Sequence, residues 1–283
     1  MRRLVGLYDY LVLYLGLIWL GLLCLSWTLI AAILYPLLPL HRGRALGRWV
    51  IMVAFRLYLA SLSASRRCHF DLSALDALRH EGPLIIAPNH PCLLDAVMVI
   101  SRLPNVACVM KSSLMDNIFL GAGSRLARYI GSEPLRNMIH LAIDDFQSGS
   151  HLLLFPEGTR TTHDPVNPLI GSIGLISRQA GVPVQTVLIE TDTRYLGKGW
   201  PLFRKPTMAA VTTGWRSVHA MATSPGVRPC RVPISRSFST SARFRESRGS
   251  WKFGVRCRKS SAGICATRSC VILPVSKPLF IGE

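Results

Sequence analysis

The chain opens with a long run of apolar residues that no charged residue interrupts. After Asp9, the 31 residues of 10–40 contain no Asp, Glu, Lys or Arg, and a helix needs only about 20 apolar residues to cross a bilayer. The apolar core of a cleaved signal peptide is about 7 to 15 residues long, which is much shorter than this run. The pattern therefore predicts a membrane-spanning or deeply embedded helix.

A second apolar segment, 45–62, contains two charged residues, Arg48 and Arg56. Arginines on an otherwise apolar helix suit the headgroup boundary better than the hydrocarbon centre, so we expect this segment to lie at the membrane interface. The basic pair 66–67 that follows favours the cytoplasmic side. The basic pair 2–3 favours the opposite orientation, which leaves the topology of the first helix open.

From about residue 83 the apolar pattern changes to short continuous runs that alternate with segments of helical period. Short apolar runs bounded by turn signals predict strands covered on both faces, and a period of 3.6 predicts helices. Strands are predicted at 83–87, 105–110, 151–155 and 182–189, and helices at 91–103, 135–147 and 168–180. This alternation is typical of an α/β domain. We place it at 68–208, after membrane-embedded helices in 1–67.

Composition agrees with a folded chain and shows where the charge lies. With 49% hydrophobic and 17% charged residues, the chain as a whole is neither intrinsically disordered nor collagen-like. The formal net charge is +18, and segment 209–283, with 13 basic and 2 acidic residues, carries +11 of it. Such an excess usually indicates nucleic acid or an anionic membrane as partner. Because most of the charge lies in the last quarter, we assign it to a tail.

The tail, 209–283, shows no sustained period of 2 or 3.6 in its apolar positions. It contains 12 Ser and four of the eight Cys, which are Cys230, Cys257, Cys265 and Cys270. One interpretation is a basic arm for anionic lipid or nucleic acid. The other, which we favour because the change is abrupt and no aromatic-basic repeat is present, is that the chain is read out of frame after about Met208. Under either interpretation we expect a poorly ordered tail, and we expect no nucleic-acid partner.

Two strand-to-helix connections carry the reactive side chains, at the strand ends where open α/β sheets place their chemistry. The first is Asn89-His90-Pro91-Cys92-Leu93-Leu94-Asp95, with His90 at the predicted helix entrance and Asp95 about one turn further. A carboxylate on one imidazole nitrogen fixes the tautomer and leaves the other nitrogen to take a proton from a hydroxyl. A capping Asn89 and a structural histidine beside an acid would explain the same spacing.

The second connection, Phe155-Pro156-Glu157-Gly158-Thr159-Arg160, follows the third predicted strand. Gly158 allows close approach of the backbone to a ligand, Thr159 offers a hydroxyl, and Arg160 is a natural bidentate partner for phosphate. Glu157 could bind a ligand hydroxyl or hold Arg160 in place. The alternative is a tight turn with a surface Glu–Arg pair.

Together, Asn-His-x4-Asp and Phe-Pro-Glu-Gly-Thr-Arg resemble the motifs of the glycerophospholipid acyltransferase family, typified by 1-acylglycerol-3-phosphate acyltransferases. The resemblance implies a mixed sheet flanked by helices and preceded by membrane helices. It also implies that His90 is the general base on the acceptor hydroxyl and that Asp95 orients it. The residues implied to bind the acceptor phosphate are Glu157, Gly158, Thr159 and Arg160.

The mechanism that the resemblance implies is direct attack of a glycerol-type hydroxyl on an acyl thioester. Acyl-CoA or acyl carrier protein would be the donor substrate, and we expect no cofactor, no metal and no acyl-enzyme. The chain has no Gly-x-Ser-x-Gly motif, and we interpret Cys92 as a packing residue rather than a nucleophile. Gly121-Ala122-Gly123 lacks the third glycine of a dinucleotide site, and Cys265-x4-Cys270 has no nearby His.

The family's second motif, Lys-x2-Leu-x3-Pro-x2-Gly ending in an Arg, matches only in part. Lys111, Leu114 and Gly121 are present, but Ile118 replaces the Pro and Pro134 stands where the Arg is expected. We assign Lys111 to substrate binding by resemblance. The candidates to replace the missing Arg are Arg125, Arg128 and Arg136.

The fourth motif, Val-Pro-x-x-Pro, is present as 182–186 with Thr186 in place of the second Pro. These departures leave the acceptor open, and lysophosphatidate is the default expectation. The alternatives are a different lipid or polyene acceptor, or a non-catalytic membrane lipid-binding protein of the same fold. We expect the protein in the inner or plasma membrane of a bacterium, among membrane lipids, with its catalytic domain on the cytoplasmic face.

Overall fold

The computed structural model describes residues 2–163, 166–191, 196–200, 209–215, 242–247 and 250–255. The helices are α1 (Arg2–Leu37), α2 (Leu40–Ala64), α3 (Ser73–Asp76), α4 (Asp95–Arg102), α5 (Gly121–Leu126), α6 (Leu135–Gln147) and α7 (Ser172–Ala180). The strands are β1 (Cys68–Asp71), β2 (Ile85–Pro88), β3 (Val106–Met110), β4 (Ile130–Gly131), β5 (His151–Leu153), β6 (Val184–Thr191), β7 (Ala209–Trp215), β8 (Ala242–Ser247) and β9 (Ser250–Val255). Ala77–His80 and Ser112–Asp116 are 3₁₀ helices.

Seven strands form one mixed sheet in the order β1-β7-β6-β2-β5-β3-β4. All neighbouring strands run parallel except β6 and β7, which are antiparallel. Strand β2 lies at the centre between β6 and β5, and Ile85 pairs with Leu152 of β5. The α/β class and the mixed sheet flanked by helices, both expected from the sequence, are confirmed.

The central strands are continuous apolar runs because helices cover both faces of the sheet. Ile85, Ile86, Leu152 and Leu153 are fully buried. They alternate between two apolar clusters, with Ile86 and Leu153 in one and Ile85 and Leu152 in the other. Burial on both faces of these four positions leaves them no polar function, so the two polar motifs lie in the loops at the strand ends.

Helices α1 and α2 contain the two segments that are long and apolar enough to cross a membrane, Gly6–Leu37 and Leu40–Ala64. Along α1 most large apolar side chains are exposed, as on a surface that lipid would cover. In α2 more of the side chains are buried, because this helix packs against α1, α4 and α5. The apolar segments predicted from the sequence are therefore helices, and α2 also forms one wall of the α/β domain.

The expectation that Arg48 lies at a lipid headgroup boundary is wrong, because the domain itself buries this arginine to 2% exposure. The Arg48 guanidinium donates to both carboxylate oxygens of Asp145 at 2.9 Å, to Ser150 Oγ at 2.7 Å and to the Ala127 carbonyl at 3.0 Å. A Cβ on Gly47 would lie 2.7 Å from the Ala127 nitrogen. The close packing of α2 on the end of α5 therefore delivers Arg48 into the domain.

The segment predicted as tail contributes one strand to the main sheet. Strand β7 pairs with β1 and β6, so the sheet extends further than the sequence indicated. Strands β8 and β9 form a separate antiparallel pair in the second of two compact units, Met1–Ala220 and Met221–Glu283. The rest of the predicted tail, including its four cysteines, lies outside the described residues.

Candidate active site

The two motif loops follow adjacent parallel strands and therefore meet at one edge of the sheet. The loop with His90 follows β2, and the loop with Glu157 follows β5, which is hydrogen-bonded to β2. The backbone N–H of Thr161 donates to the His90 carbonyl at 2.7 Å. The juxtaposition expected from the sequence is therefore present in the fold.

His90 and Asp95 form a hydrogen-bonded pair. His90 Nδ1 lies 2.8 Å from Asp95 Oδ2, and Asp95 is fully buried. Helix α4 begins at Asp95 itself, four residues later than predicted. His90 therefore lies in the loop before the helix, and its bond to Asp95 links that loop to the first helical residue. The His90 ring stacks on Phe155, with ring centroids 4.1 Å apart. With Nδ1–H held by Asp95, the Nε2 lone pair of a neutral imidazole is the atom that can take a proton.

Asn89 connects the loop to strand β6 and does not cap a helix. Its side-chain Nδ2 donates to the Ile189 carbonyl at 3.0 Å, and its Oδ1 accepts the Ile189 N–H at 2.7 Å. These two bonds extend the pairing of β2 with β6 beyond the last regular strand residue, which is Pro88. Asn89 therefore fixes where the chain leaves the sheet, directly before His90.

Glu157 joins the two loops through its carboxylate, which is 4% exposed. Oε1 accepts the backbone N–H of His90 at 2.9 Å and the Thr161 hydroxyl at 2.7 Å, and Oε2 accepts the backbone N–H of Asn167 at 2.9 Å. Three protein donors occupy the carboxylate that the resemblance assigned to the substrate. Glu157 therefore holds the backbone of His90, a role for which the sequence offered no signal because its partners are distant in the chain.

Gly158 and Thr159 form the turn that follows Glu157. Gly158 has φ +63°, and a Cβ there would lie 2.3 Å from Ile170 Cδ1. A side chain at this position would be strained and would displace Ile170. Thr159 is exposed beside it, so its hydroxyl is open to a ligand.

Arg160 is anchored on one side. Its Nη1 donates to the carbonyls of Leu196 and Gly197 at 3.1 and 3.0 Å. Within the described part of the chain, Nε and Nη2 of Arg160 have no hydrogen-bond partner. A guanidinium held by one nitrogen, with further donors available, can bind an anionic oxygen in a fixed orientation.

Lys111 of the partial second motif and the candidate arginines are less buried than Asp95 and Glu157. Lys111 follows β3 and is exposed. Arg125 pairs with Asp116 at 2.5 Å, Arg128 lies 5.4 Å from the centre of the Tyr35 ring, and Arg136 is exposed on α6. Arg125 and Arg128 therefore already have protein partners, and nothing in these contacts distinguishes one of the three as the replacement for the missing arginine.

An apolar cavity lies between α1, α2 and the segment from β3 to β4. It is partly open to the surroundings, has a volume of about 60 Å³ and is lined mainly by apolar side chains of these elements: Leu23, Cys24, Trp27, Thr28, Ile51, Ala54, Phe55, Met110, Phe119, Leu120, Gly123, Ser124 and Tyr129. Gly123 lies in this wall, and a Cβ there would meet the Trp27 ring of α1 at 2.8 Å, so this glycine serves helix packing. A Cβ on Gly121 would meet the Met115 carbonyl of the preceding 3₁₀ helix at 2.7 Å.

In the described part of the chain, no three His, Cys, Asp or Glu side chains lie close enough to share a metal ion. Four cysteines are described there, and all are free thiols: Cys24, Cys68, Cys92 and Cys108. Cys92 and Cys108 are buried, and burial raises the pKa of the Cys108 thiol to about 12. The expectation that no metal or cofactor is needed stays a prediction.

Comparison with known proteins relates this architecture to one family. Residues 69–190 match the family model described as Acyltransferase. The structure is similar to the crystal structure of the 1-acyl-sn-glycerophosphate (LPA) acyltransferase PlsC from Thermotoga maritima, with a TM-score of 0.53 and 18% identity. That match covers 76% of this chain and 87% of that chain. At this identity the structural similarity establishes the fold, and the family match covers both motif loops.

Proposed function

We propose that the chain, whose residues 69–190 match the Acyltransferase family model, transfers a fatty acyl group from a thioester to the hydroxyl of a lysophospholipid such as 1-acylglycerol 3-phosphate. The observation that carries this proposal is the contact of His90 Nδ1 with the buried Asp95 carboxylate. That contact leaves Nε2 to act on a hydroxyl, at the sheet edge where Arg160 presents unused donors. The similar PlsC structure is that of an LPA acyltransferase, which supports the choice of acceptor.

The reaction follows from this geometry in two proton transfers. His90 Nε2 takes the proton of the acceptor hydroxyl while its oxygen attacks the thioester carbonyl carbon. The negative charge of Asp95 stabilises the imidazolium that forms. The tetrahedral intermediate then expels the thiolate, which takes the proton from His90, and the ester is the product. Acyl-CoA or acyl carrier protein supplies the thioester, and no covalent intermediate on the protein is required.

Lipid substrates fit the apolar parts of the structure. The two long helices would hold the domain at a membrane, where acceptor and product reside. The apolar cavity between α1 and α2 has the lining that an acyl chain would occupy. The membrane we propose is the inner or plasma membrane of a bacterium, and the basic pair 66–67 after α2 favours the cytoplasmic face for the catalytic domain.

The direct test is acyl transfer in membranes that contain the chain. Labelled acyl-CoA and labelled acyl carrier protein are each supplied with 1-acylglycerol 3-phosphate, with other lysophospholipids and with monoacylglycerol. The proposal expects a diacyl product from a phosphate-bearing acceptor and little from monoacylglycerol, which lacks phosphate. Binding of the lipids without any product would instead favour a non-catalytic lipid-binding protein, the alternative suggested by the altered second motif.

Arg160→Ala is expected to raise the KM for the phosphate-bearing acceptor by roughly 10- to 100-fold, because a charge-assisted hydrogen bond to phosphate is lost. Steady-state kinetics with varied acceptor measures this change. Arg178→Ala, which removes an exposed arginine from α7, is the matched control and should behave as wild type. Equal KM values for the two variants would show that Arg160 does not bind the acceptor phosphate.

Glu157→Gln is expected to lower kcat about tenfold or more while leaving the acceptor KM nearly unchanged. Whichever way the amide turns, its NH₂ faces a backbone N–H, of His90 or of Asn167, and one buried hydrogen bond is lost. The effect therefore falls on the position of His90. The control is Glu190→Gln, which changes an exposed carboxylate on β6. A raised KM with unchanged kcat would show instead that Glu157 binds substrate.

A further inference from the structure

Cys92 contacts the same carboxylate as His90 through two of its atoms. Its backbone N–H donates to Asp95 Oδ2 at 2.8 Å, and its Sγ lies 2.8 Å from Asp95 Oδ1. Cys92 is 3% exposed. The residue predicted from the sequence to be a simple packing residue is therefore a hydrogen-bond donor to Asp95.

The contacts of Asp95 are divided unevenly between its two oxygens. Oδ2 accepts His90 Nδ1–H and the Cys92 N–H, whereas Oδ1 has the Cys92 thiol as its one side-chain partner among the described residues. A buried carboxylate oxygen without a donor is costly, because it has left water and gained nothing in exchange. The thiol therefore satisfies the oxygen that His90 does not reach.

The thiol is in the protonated form that this contact requires. Burial, reinforced by the adjacent Asp95 charge, raises the pKa of Cys92 well above its usual range. A thiolate here would place a second negative charge against Asp95. Cys92 is thus a donor throughout the neutral pH range and is not a nucleophile.

We propose that Cys92 is a positioning residue, whose thiol orients Asp95 and disperses part of its negative charge, and so sets the pH at which His90 gives up its proton. The inference deepens the proposed function and rests on it. The other groups near the pair are the Phe155 ring, the Glu157 carboxylate at the His90 backbone, and the Tyr58 phenol on α2, which belongs to the same buried cluster as Cys92. Among the described residues, the Cys92 thiol is the side-chain hydrogen-bond partner of Oδ1.

Replacing the Cys92 thiol with a group that cannot donate a hydrogen bond changes the electrostatic field at His90. The charge of Asp95 is then less dispersed, so an imidazolium at His90 is held more strongly and loses its proton at higher pH. Cys92→Val and Cys92→Ala, which both lack a donor, should move the acidic limb of the pH–rate profile upward by about half a unit or more. Cys92→Ser keeps a donor and should leave the limb near its wild-type position.

The experiment uses the full chain in membranes and two readouts. The first is kcat for acyl transfer from pH 5 to 9, normalised to folded protein. The second is the pH dependence of His90 modification by diethyl pyrocarbonate, measured by mass spectrometry of the peptide that contains His90, which requires no acceptor lipid. Cys108→Val, which alters a buried thiol on β3 whose hydrogen bond goes to the Val109 carbonyl and not to Asp95, is the matched control.

An upward shift in both readouts for the Val and Ala variants, with Ser and the Cys108 variant unshifted, supports the inference. Equal midpoints in all variants, or equal shifts in Ser and Val, would overturn it, because packing rather than hydrogen bonding would then account for the residue. Absence of acyl transfer in wild type alongside a shifted modification midpoint would count against the proposed function and not against the contact. Transfer with no shift would count against the contact alone.

Discussion

His90→Ala is expected to reduce acyl transfer about a thousandfold, the largest effect on activity that the structure indicates. The His90 imidazole is partly exposed at this sheet edge and is paired with the buried Asp95 carboxylate at 2.8 Å. Without it, the acceptor hydroxyl must lose its proton to water as it attacks the thioester. General bases typically contribute 10² to 10⁴ in rate. Initial rates in membranes that contain equal amounts of wild type and variant measure the loss.

The control for this experiment is His140→Ala, which removes an exposed histidine from α6 and should retain wild-type activity. The activity of Asp95→Asn should lie between those of His90→Ala and His140→Ala. The amide can still contact His90 Nδ1, but it favours the wrong tautomer and carries no charge. If His90→Ala retained more than about a tenth of the wild-type activity, His90 would not be the general base.

Arg48→Met is expected to destabilise the domain by about 3–5 kcal/mol, the largest effect on stability that the structure indicates. The substitution removes the bidentate partner of the Asp145 carboxylate, which is 5% exposed, and leaves the Arg44 contact at 3.2 Å as its remaining ion pair among the described residues. It also leaves the Ala127 carbonyl without its donor and removes one donor from the Ser150 hydroxyl. The measurement is the thermal unfolding midpoint of purified protein in detergent, together with the yield of folded protein.

Two further variants test whether the loss of stability comes from the buried Arg48–Asp145 ion pair. Arg42→Met removes an exposed arginine from the same helix and should unfold at the wild-type temperature. Arg48→Met combined with Asp145→Leu should recover part of the loss, since replacing both members of a buried ion pair avoids an isolated charge. If Arg48→Met and Arg42→Met unfold at the same temperature, the buried pair contributes nothing and α2 is held by apolar packing alone.

The reactive residues could be predicted from the sequence because their spacing is local. His90 and Asp95 are five positions apart, so any compact connection after β2 brings them close together. The hexapeptide that ends in Arg160 directly follows a strand, and parallel strands place their following loops at one edge. The four strands and three helices predicted in 83–189 lie within a few residues of the observed ones, because burial on both faces imposes continuous apolar runs, whereas α5 and β4 were not predicted.

Roles that depend on partners far along the chain could not be predicted in this way. Glu157 bonds to a backbone N–H 67 positions earlier, and Arg48 pairs with a carboxylate 97 positions later. A charged residue in an apolar helix looks the same in sequence whether lipid headgroups or a buried acid surrounds it. The contact of the Cys92 thiol with Asp95 was missed for a related reason, since the loop conformation, not the spacing, turns Cys92 towards the carboxylate.

The amino-acid sequence by itself therefore determined the apolar helices, the alternating strands and the chemical identity of the His–Asp pair, because each depends on residues near one another in the chain. The tertiary structure alone decided that Glu157 holds His90, that Arg48 is buried against Asp145 and that β7 extends the sheet. Hydrogen bonds and ion pairs satisfy buried polar groups wherever the fold brings a partner, and that partner is set by three-dimensional packing rather than by position in the sequence.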